Sequence, residues 1–159
     1  MERTEKNTKR KSVNPVPDGF HTVTPFLIVD QASRLITFIE QAFNGKTTSI
    51  METEDGQIMH ATTRIGDSEI MIADAMGRSP SGTAKLYLYM DDVDSFYKQA
   101  LSANGTSIRE PIDEFYGDRS AGVKDPWGNE WWIATHIEDV DPKEMKKRQK
   151  EFMEKETTT

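Results

Sequence analysis

Three histidines, His21, His60 and His136, are the side chains whose ordinary pKa lies nearest neutrality in this 159-residue sequence. His60 falls midway along an alternating, strand-like run. There it could act as a metal ligand, a base or a hydrogen-bond donor, or be a structural imidazole bonded to backbone. His136 closes the last such run, where a structural role is expected. Arg119 follows Gly117-Asp118. It could clamp a carboxylate or phosphate with both arms of its guanidinium, or pair with Asp118 or another acid. Tyr87, Tyr89 and Trp132, with Met59 and Met71, supply rings and sulfur for the walls of a pocket around a flat organic molecule; the same residues would also serve as core. Asp113 and Glu114 read as solvated loop charges. There is no cysteine, so thiolate nucleophiles, disulfides and cysteine-bound zinc are excluded. No phosphate-cradling glycine loop, serine elbow or acid–base pair is present.

The elements that must position these residues follow from periodicity. Thr22 to Val29 reads as a strand despite Pro25, with Asp30 as the cap of a helix. Ala32, Leu35, Ile36, Ile39 and Phe43 form that helix's apolar stripe. Asn44-Gly45 ends it with two residues tolerant of left-handed backbone. Strands are expected at about Thr47 to Glu54, Gln57 to Ile65 and Ser68 to Asp74, turned by Asp55-Gly56 and Gly66-Asp67. Ala75 to Thr83 is a flexible connector. A strand from Lys85 to Met90 then places Tyr87 and Tyr89 on one face and Leu86 and Leu88 on the other. Asp91 or Asp92 caps a helix striped by Val93, Phe96, Tyr97, Ala100 and Leu101, closed by Asn104-Gly105. Thr106 to Glu110 is a strand, Pro111 to Tyr116 a long turn, and Gly117 to His136 a hairpin turned by Asp125-Pro126-Trp127-Gly128.

The pattern occurs twice. Phe26-Leu27-Ile28-Val29 aligns with Leu86-Tyr87-Leu88-Tyr89, and Asn44-Gly45 with Asn104-Gly105, both at a shift of 60 residues. Glu69-Ile70-Met71-Ile72-Ala73 aligns with Glu130-Trp131-Trp132-Ile133-Ala134 at 61. Two βαβββ copies account for the chain. The fold expected is α+β: modules at 22–74 and 84–137 within a 20–140 domain, a half-open mixed sheet or barrel, and helices outside it. Residues 1–19 form a basic, disordered tail and a proline-containing linker. Residues 141–159 form a terminal helix and frayed end, with Asp141, Pro142 and Glu144 as a capping box. Its thin stripe, Met145, Gln149, Phe152 and Met153, would pack on a neighbouring surface or a second subunit.

Composition narrows the function classes. The net charge is −7 and the pI near 5.0, which argues against nucleic acid as the main partner. No run approaches the ~18 apolar residues of a membrane span, and the first eleven residues lack the apolar core of a secretory signal. No membrane partner and a cytoplasmic location are expected.

Several short motifs, taken as an ordered set, resemble the PhnB-like branch of the vicinal-oxygen-chelate superfamily, which includes glyoxalases, bleomycin-resistance proteins and extradiol dioxygenases. They are Met59-His60-Ala61, Ile65-Gly66-Asp67-Ser68, Ala73-Asp74, Asp92-Val93-Asp94, Tyr116-Gly117-Asp118-Arg119, Asp125-Pro126-Trp127-Gly128 and Ala134-Thr135-His136-Ile137-Glu138-Asp139. The resemblance spans about Val23 to Arg148. It implies a concave site between two modules, a divalent metal in many members, and a homodimer.

The resemblance also implies metal ligands at positions this sequence fills differently. The second module's usual glutamate corresponds to Trp132, and its first-module equivalent to Ile70 or Met71. Thr83, Ala84 and Lys85 stand where a histidine is common, and His21 falls just ahead of the first-strand position. The leading expectation is therefore a protein that binds a small organic ligand through His60, Met59, Met71, Tyr87, Tyr89, Arg119 and Trp132, with no cofactor. The alternative is a metal-dependent lyase, isomerase or dioxygenase using His60, with His136 or Glu69, as unusual ligands. A third is an interaction module working through its basic tail or terminal helix.

Overall fold

The computed structural model describes residues 13–77 and 82–157. The basic tail and residues 78–81 of the connector lie outside the described residues. The order is β1 (Phe26–Val29), α1 (Ala32–Phe43), β2 (Lys46–Glu52), β3 (Ile58–Ile65), β4 (Ser68–Asp74), β5 (Lys85–Tyr89), α2 (Val93–Ser102), β6 (Thr106–Asp113), β7 (Asp118–Lys124), β8 (Glu130–His136) and α3 (Pro142–Glu156).

Two βαβββ modules are present, each a four-stranded mixed sheet. Their strand orders, β1-β4-β3-β2 and β5-β8-β7-β6, are the same topology. In each, the first strand pairs parallel to the last, and the remaining pairs are antiparallel. α1 and α2 each cover one face of their own sheet and touch each other. The opposite face of each sheet is open. Among the described residues no strand of one sheet contacts a strand of the other, so the barrel is not closed.

Burial explains the joint. Leu35, Ile36, Ile39 and Phe43 of α1 are buried as the stripe predicts. Phe38 joins them, and both phenylalanines pack on the indole of Trp131 in β8, at 6.3 and 5.0 Å between ring centroids. Trp131 is fully buried, and its Nε1 donates to Asp125 Oδ2 at 2.9 Å. Asp125 also accepts from the Trp127 and Asn129 amides and the Asn129 side chain. Gly128, at φ +91°, completes the predicted turn, its amide donating to the Asp125 carbonyl. Asn129 in turn accepts from the Ala84 amide at 2.9 Å, which aligns β5 beside β8.

Several expectations are corrected. The first strand begins at Phe26 rather than Thr22; Pro25 has no amide hydrogen, though its carbonyl accepts from Met71 N. Asp30 does not cap α1. Asp74 does, from the end of β4: its Oδ1 accepts from Ala32 N at 2.8 Å and its Oδ2 from Ile58 N at 2.7 Å. Thr135 does the same for α2, accepting from Val93 N at 2.9 Å, while Asp92 accepts from Ser95 N. β6 runs through Pro111 to Asp113, because it is an edge strand with register shifts on both sides of Arg109. In Asn44-Gly45 and Asn104-Gly105 only the asparagines are left-handed. The glycines are there for close approach: a Cβ on Gly105 would lie 2.5 Å from Val123 Cγ1, and one on Gly45 2.8 Å from Ile39 Cγ2. The capping box of α3 is half made. Asp141 accepts from the Lys143 and Glu144 amides, whereas the Glu144 carboxylate takes Arg148 Nε. α3 has no buried residue and is held by Arg148 forked on Glu138 and by Phe152 against Phe115.

The repeat itself shifts by one residue in the first strands. Phe26 pairs with Met71, and Tyr87 pairs with Trp132. Phe26 therefore corresponds to Tyr87, not to Leu86. A one-residue slip exchanges the faces of a strand, and the structure puts Leu27 and Leu88, not Leu27 and Tyr87, on the helix side.

Candidate ligand-binding site

Alternation along β8 sends Trp131, Ile133 and Thr135 toward the helices. It leaves Trp132, Ala134 and His136 on the open face of the second sheet. Register then builds tiers across the strands. Tyr87, Trp132 and Gly122 share one; Tyr89, Ala134 and Ser120 the next; His136 and Asp118 the last. Gly122 makes room for the indole: a Cβ there would lie 3.0 Å from the Trp132 ring. The Arg109 guanidinium carbon sits 5.1 Å from that ring's centroid, a cation–π distance. Arg109 also pairs with Glu114, and the two share the Ser120 hydroxyl. The Arg109 Nε is buried and finds no partner among the described residues.

Asp118 is the hub of this face. It is 3% exposed. The Tyr87 and Tyr89 hydroxyls donate to its Oδ2 at 3.2 and 3.0 Å, and His136 Nδ1 lies 2.8 Å from its Oδ1. His136 Nε2 lies 2.8 Å from Asp139. A carboxylate can only accept, so both ring nitrogens are placed to donate, an arrangement that favours the imidazolium. Asp139 first, then Asp118, raises its pKa above 6.5. Burial, then the neighbouring Tyr116 hydroxyl, then Asp118, pushes the Tyr87 phenol well above its ordinary range. The hydrogen bond to Asp118 raises that of Tyr89. Both phenols therefore keep their protons, and both protons face Asp118. The two rings are 5.3 Å apart and tilted by 59°. They are also exposed, Tyr87 by 46% and Tyr89 by 65%.

The tyrosine pair also borders a cleft of about 640 Å³ between the modules. Its second wall comes from His21, Val23 and Pro25, and from the β3–β4 turn from Ile65 to Ile70. Glu69 at that wall is buried and paired with Arg64, whose Nε lies 2.7 Å away.

The structure brings Tyr87, Tyr89 and Trp132 together. Met71 lies on the open face of the first sheet beside Phe26, whose ring is 5.9 Å from that of His60. Met59 is the extra residue of a β-bulge, where Met51 pairs with His60 and Glu52 with Ile58. Arg119 faces the helices. It donates to both carboxylate oxygens of Asp94, at 2.7 and 2.9 Å, and to Asp113 at 2.8 Å. Glu114 is not a solvated loop charge; its side chain is 11% exposed against Arg109. Asp118, Arg109 and Ser120 complete the face, and only the alternation of Asp118, Ser120 and Gly122 along β7 hints at them in the sequence. Among the described residues no three histidine, aspartate or glutamate side chains cluster as a metal site.

Comparison with known proteins agrees with this architecture. The family model of the Glyoxalase/Bleomycin resistance protein/Dioxygenase superfamily matches residues 19–133. An uncharacterized protein of Mycobacterium bovis, Mb0911c, is 29% identical over 134 residues, covering 77% of this chain and 88% of that protein. TioX from Micromonospora superposes with a TM-score of 0.60 at 17% identity, over 72% of this chain and 99% of its own. A PhnB protein from Bacillus cereus, titled a putative 3-demethylubiquinone-9 3-methyltransferase, gives 0.55 at 17%, over 72% and 99%. A structure titled lactoylglutathione lyase from Agrobacterium tumefaciens gives 0.56 at 16%, over 77% and 96%.

Proposed function

We propose, from the premise that the chain belongs to the Glyoxalase/Bleomycin resistance protein/Dioxygenase superfamily, that it binds a small organic molecule against the open face of its second sheet and the adjoining cleft. The observation that carries this is the aromatic set on the open face, exposed Tyr87 and Tyr89 bonded to Asp118 and half-buried Trp132 fitted between Gly122 and Arg109. Exposed rings fixed by buried polar groups form a surface prepared for a flat partner.

The superfamily's divalent metal does not fit the equivalent tier. Phe26 and Met71 in one module, and Tyr87 and Trp132 in the other, present rings and a thioether. A hard divalent ion with open positions needs imidazole and carboxylate donors there. His136 is already engaged at both nitrogens. No step is assigned to a metal. The chain is further inferred to act as a homodimer, because β2 is exposed along its whole length and Ile50 and Met51 are open to solvent.

The test joins two measurements on untagged protein. A panel of flat aromatic fragments is screened by ligand-observed NMR, and metal content is determined by elemental analysis. Fragment binding that disappears in Trp132→Ala, with metal well below one equivalent, supports the reading. One tightly held divalent ion per chain, or binding indifferent to Trp132→Ala, contradicts it.

A further inference from the structure

The lining of the inter-module cleft carries a sign of charge. Its charged side chains are Asp67 and Glu69, with neither lysine nor arginine among the described residues that line it. Glu69 is neutralised by Arg64. Asp67 accepts from the Ser68 hydroxyl at 2.8 Å. Behind the opposite wall lies Asp118, buried under the two phenols and paired on its other oxygen with His136.

The direction of those hydrogen bonds decides what the tyrosines can offer. Both phenol hydrogens point at the carboxylate, so each oxygen has only lone pairs left for a visitor. An anion would meet no donor from this pair. A cation would meet acceptor oxygens and two ring faces made electron-richer by the bond to Asp118, in the geometry that favours cation–π attraction. Val23, Pro25, Ile65, Ile70 and Leu88 supply apolar surface beside them.

We propose that the cleft takes an organic cation: a flat apolar body carrying a quaternary or protonated nitrogen, with the nitrogen over Tyr87 and Tyr89 and the body against the apolar wall. This rests on the binding function proposed above and adds the charge class of its ligand.

Three isosteric probes separate the two claims: N-methylquinolinium, neutral 1-methylnaphthalene and anionic 1-naphthoate, titrated by calorimetry into the full chain. The cation is expected to bind about tenfold more tightly than the neutral probe, and the anion most weakly. Tyr89→Leu should erase the preference while Tyr89→Phe, which keeps the ring, retains part of it. Both positions are exposed, and circular dichroism checks that the variants fold. Equal or tighter binding of the neutral or anionic probe would overturn the cation proposal and leave small-molecule binding intact. A cation preference unchanged in Tyr89→Leu would overturn the placement. Failure of all three probes to bind would count against both claims.

Discussion

The two modules share a skeleton and differ in what they show to solvent. On the helix side they match almost position for position. A residue from the last strand caps each helix, Asp74 in one and Thr135 in the other. A left-handed asparagine and a close-packed glycine end each helix. On the open side they part. The first module pairs Phe26 with Met71, beside His60; the second pairs Tyr87 with Trp132, over Asp118 and His136. The buried side of a duplicated sheet is held by packing, whereas the open side is free to acquire polar chemistry. The first copy's open face keeps the buried Glu69–Arg64 pair, but the network that holds exposed rings sits in the second copy, and the ligand is assigned there.

Substitutions can strain this comparison, beginning at the joint. Trp131→Ala removes the buried indole between Phe38, Phe43 and Asp125. It should lower stability by about 3–5 kcal/mol in urea denaturation and melt both modules in a single transition. Independent melting would show that the halves are separable. The glycine pair comes next. Gly105→Ala forces a Cβ to 2.7 Å from the Ala100 carbonyl, a backbone atom that gives little, and should lose about 1–3 kcal/mol. Gly45→Ala meets Ile39 Cγ2 at 2.8 Å and the Ile39 carbonyl only at 3.1 Å, a looser fit on both counts, and should lose less. Among the caps, Asp74→Ala strips two amides and should cost about 2 kcal/mol. Thr135→Ala strips one and should cost about 1 kcal/mol. A reversed order, read from the same denaturation curves, would mean that the two caps do not play matching roles.

The smallest effect is a pH dependence confined to the second module. His136 has a folded pKa raised above 6.5. Its contribution is fully present below pH 6.5 and fades as pH rises through the raised value. Melting temperatures followed across that window should fall in the wild type and lose this component in His136→Gln. A profile identical in the two proteins would remove the imidazolium from the account.

The helices, the βαβββ succession of each module and the Asp125-Pro126-Trp127-Gly128 turn are legible in the sequence because apolar period and turn residues are local signals. Two failures were non-local. Asp74 caps a helix 42 residues away, and nothing near Ala32 announces it. The register of β1 and β5 hides behind similar apolar letters, so letter matching sets Phe26 against Leu86 where pairing sets it against Tyr87. The site divided the same way. Tyr87, Tyr89 and Trp132 stood out as an alternating aromatic set, but Asp118 read only as a neighbour of Arg119. β7 turns those two side chains to opposite faces, and this separates a ligand-facing hub from a helix-side ion pair.

The asymmetry of the open faces is tested most directly by one titration of N-methylquinolinium into two double variants. Loss of affinity of about tenfold or more in Tyr87→Leu/Tyr89→Leu, with less than about a twofold change in Phe26→Leu/Met71→Leu, is the predicted result. The opposite pattern, affinity lost with Phe26 and Met71 and kept without the tyrosines, would contradict the assignment of the ligand to the second module.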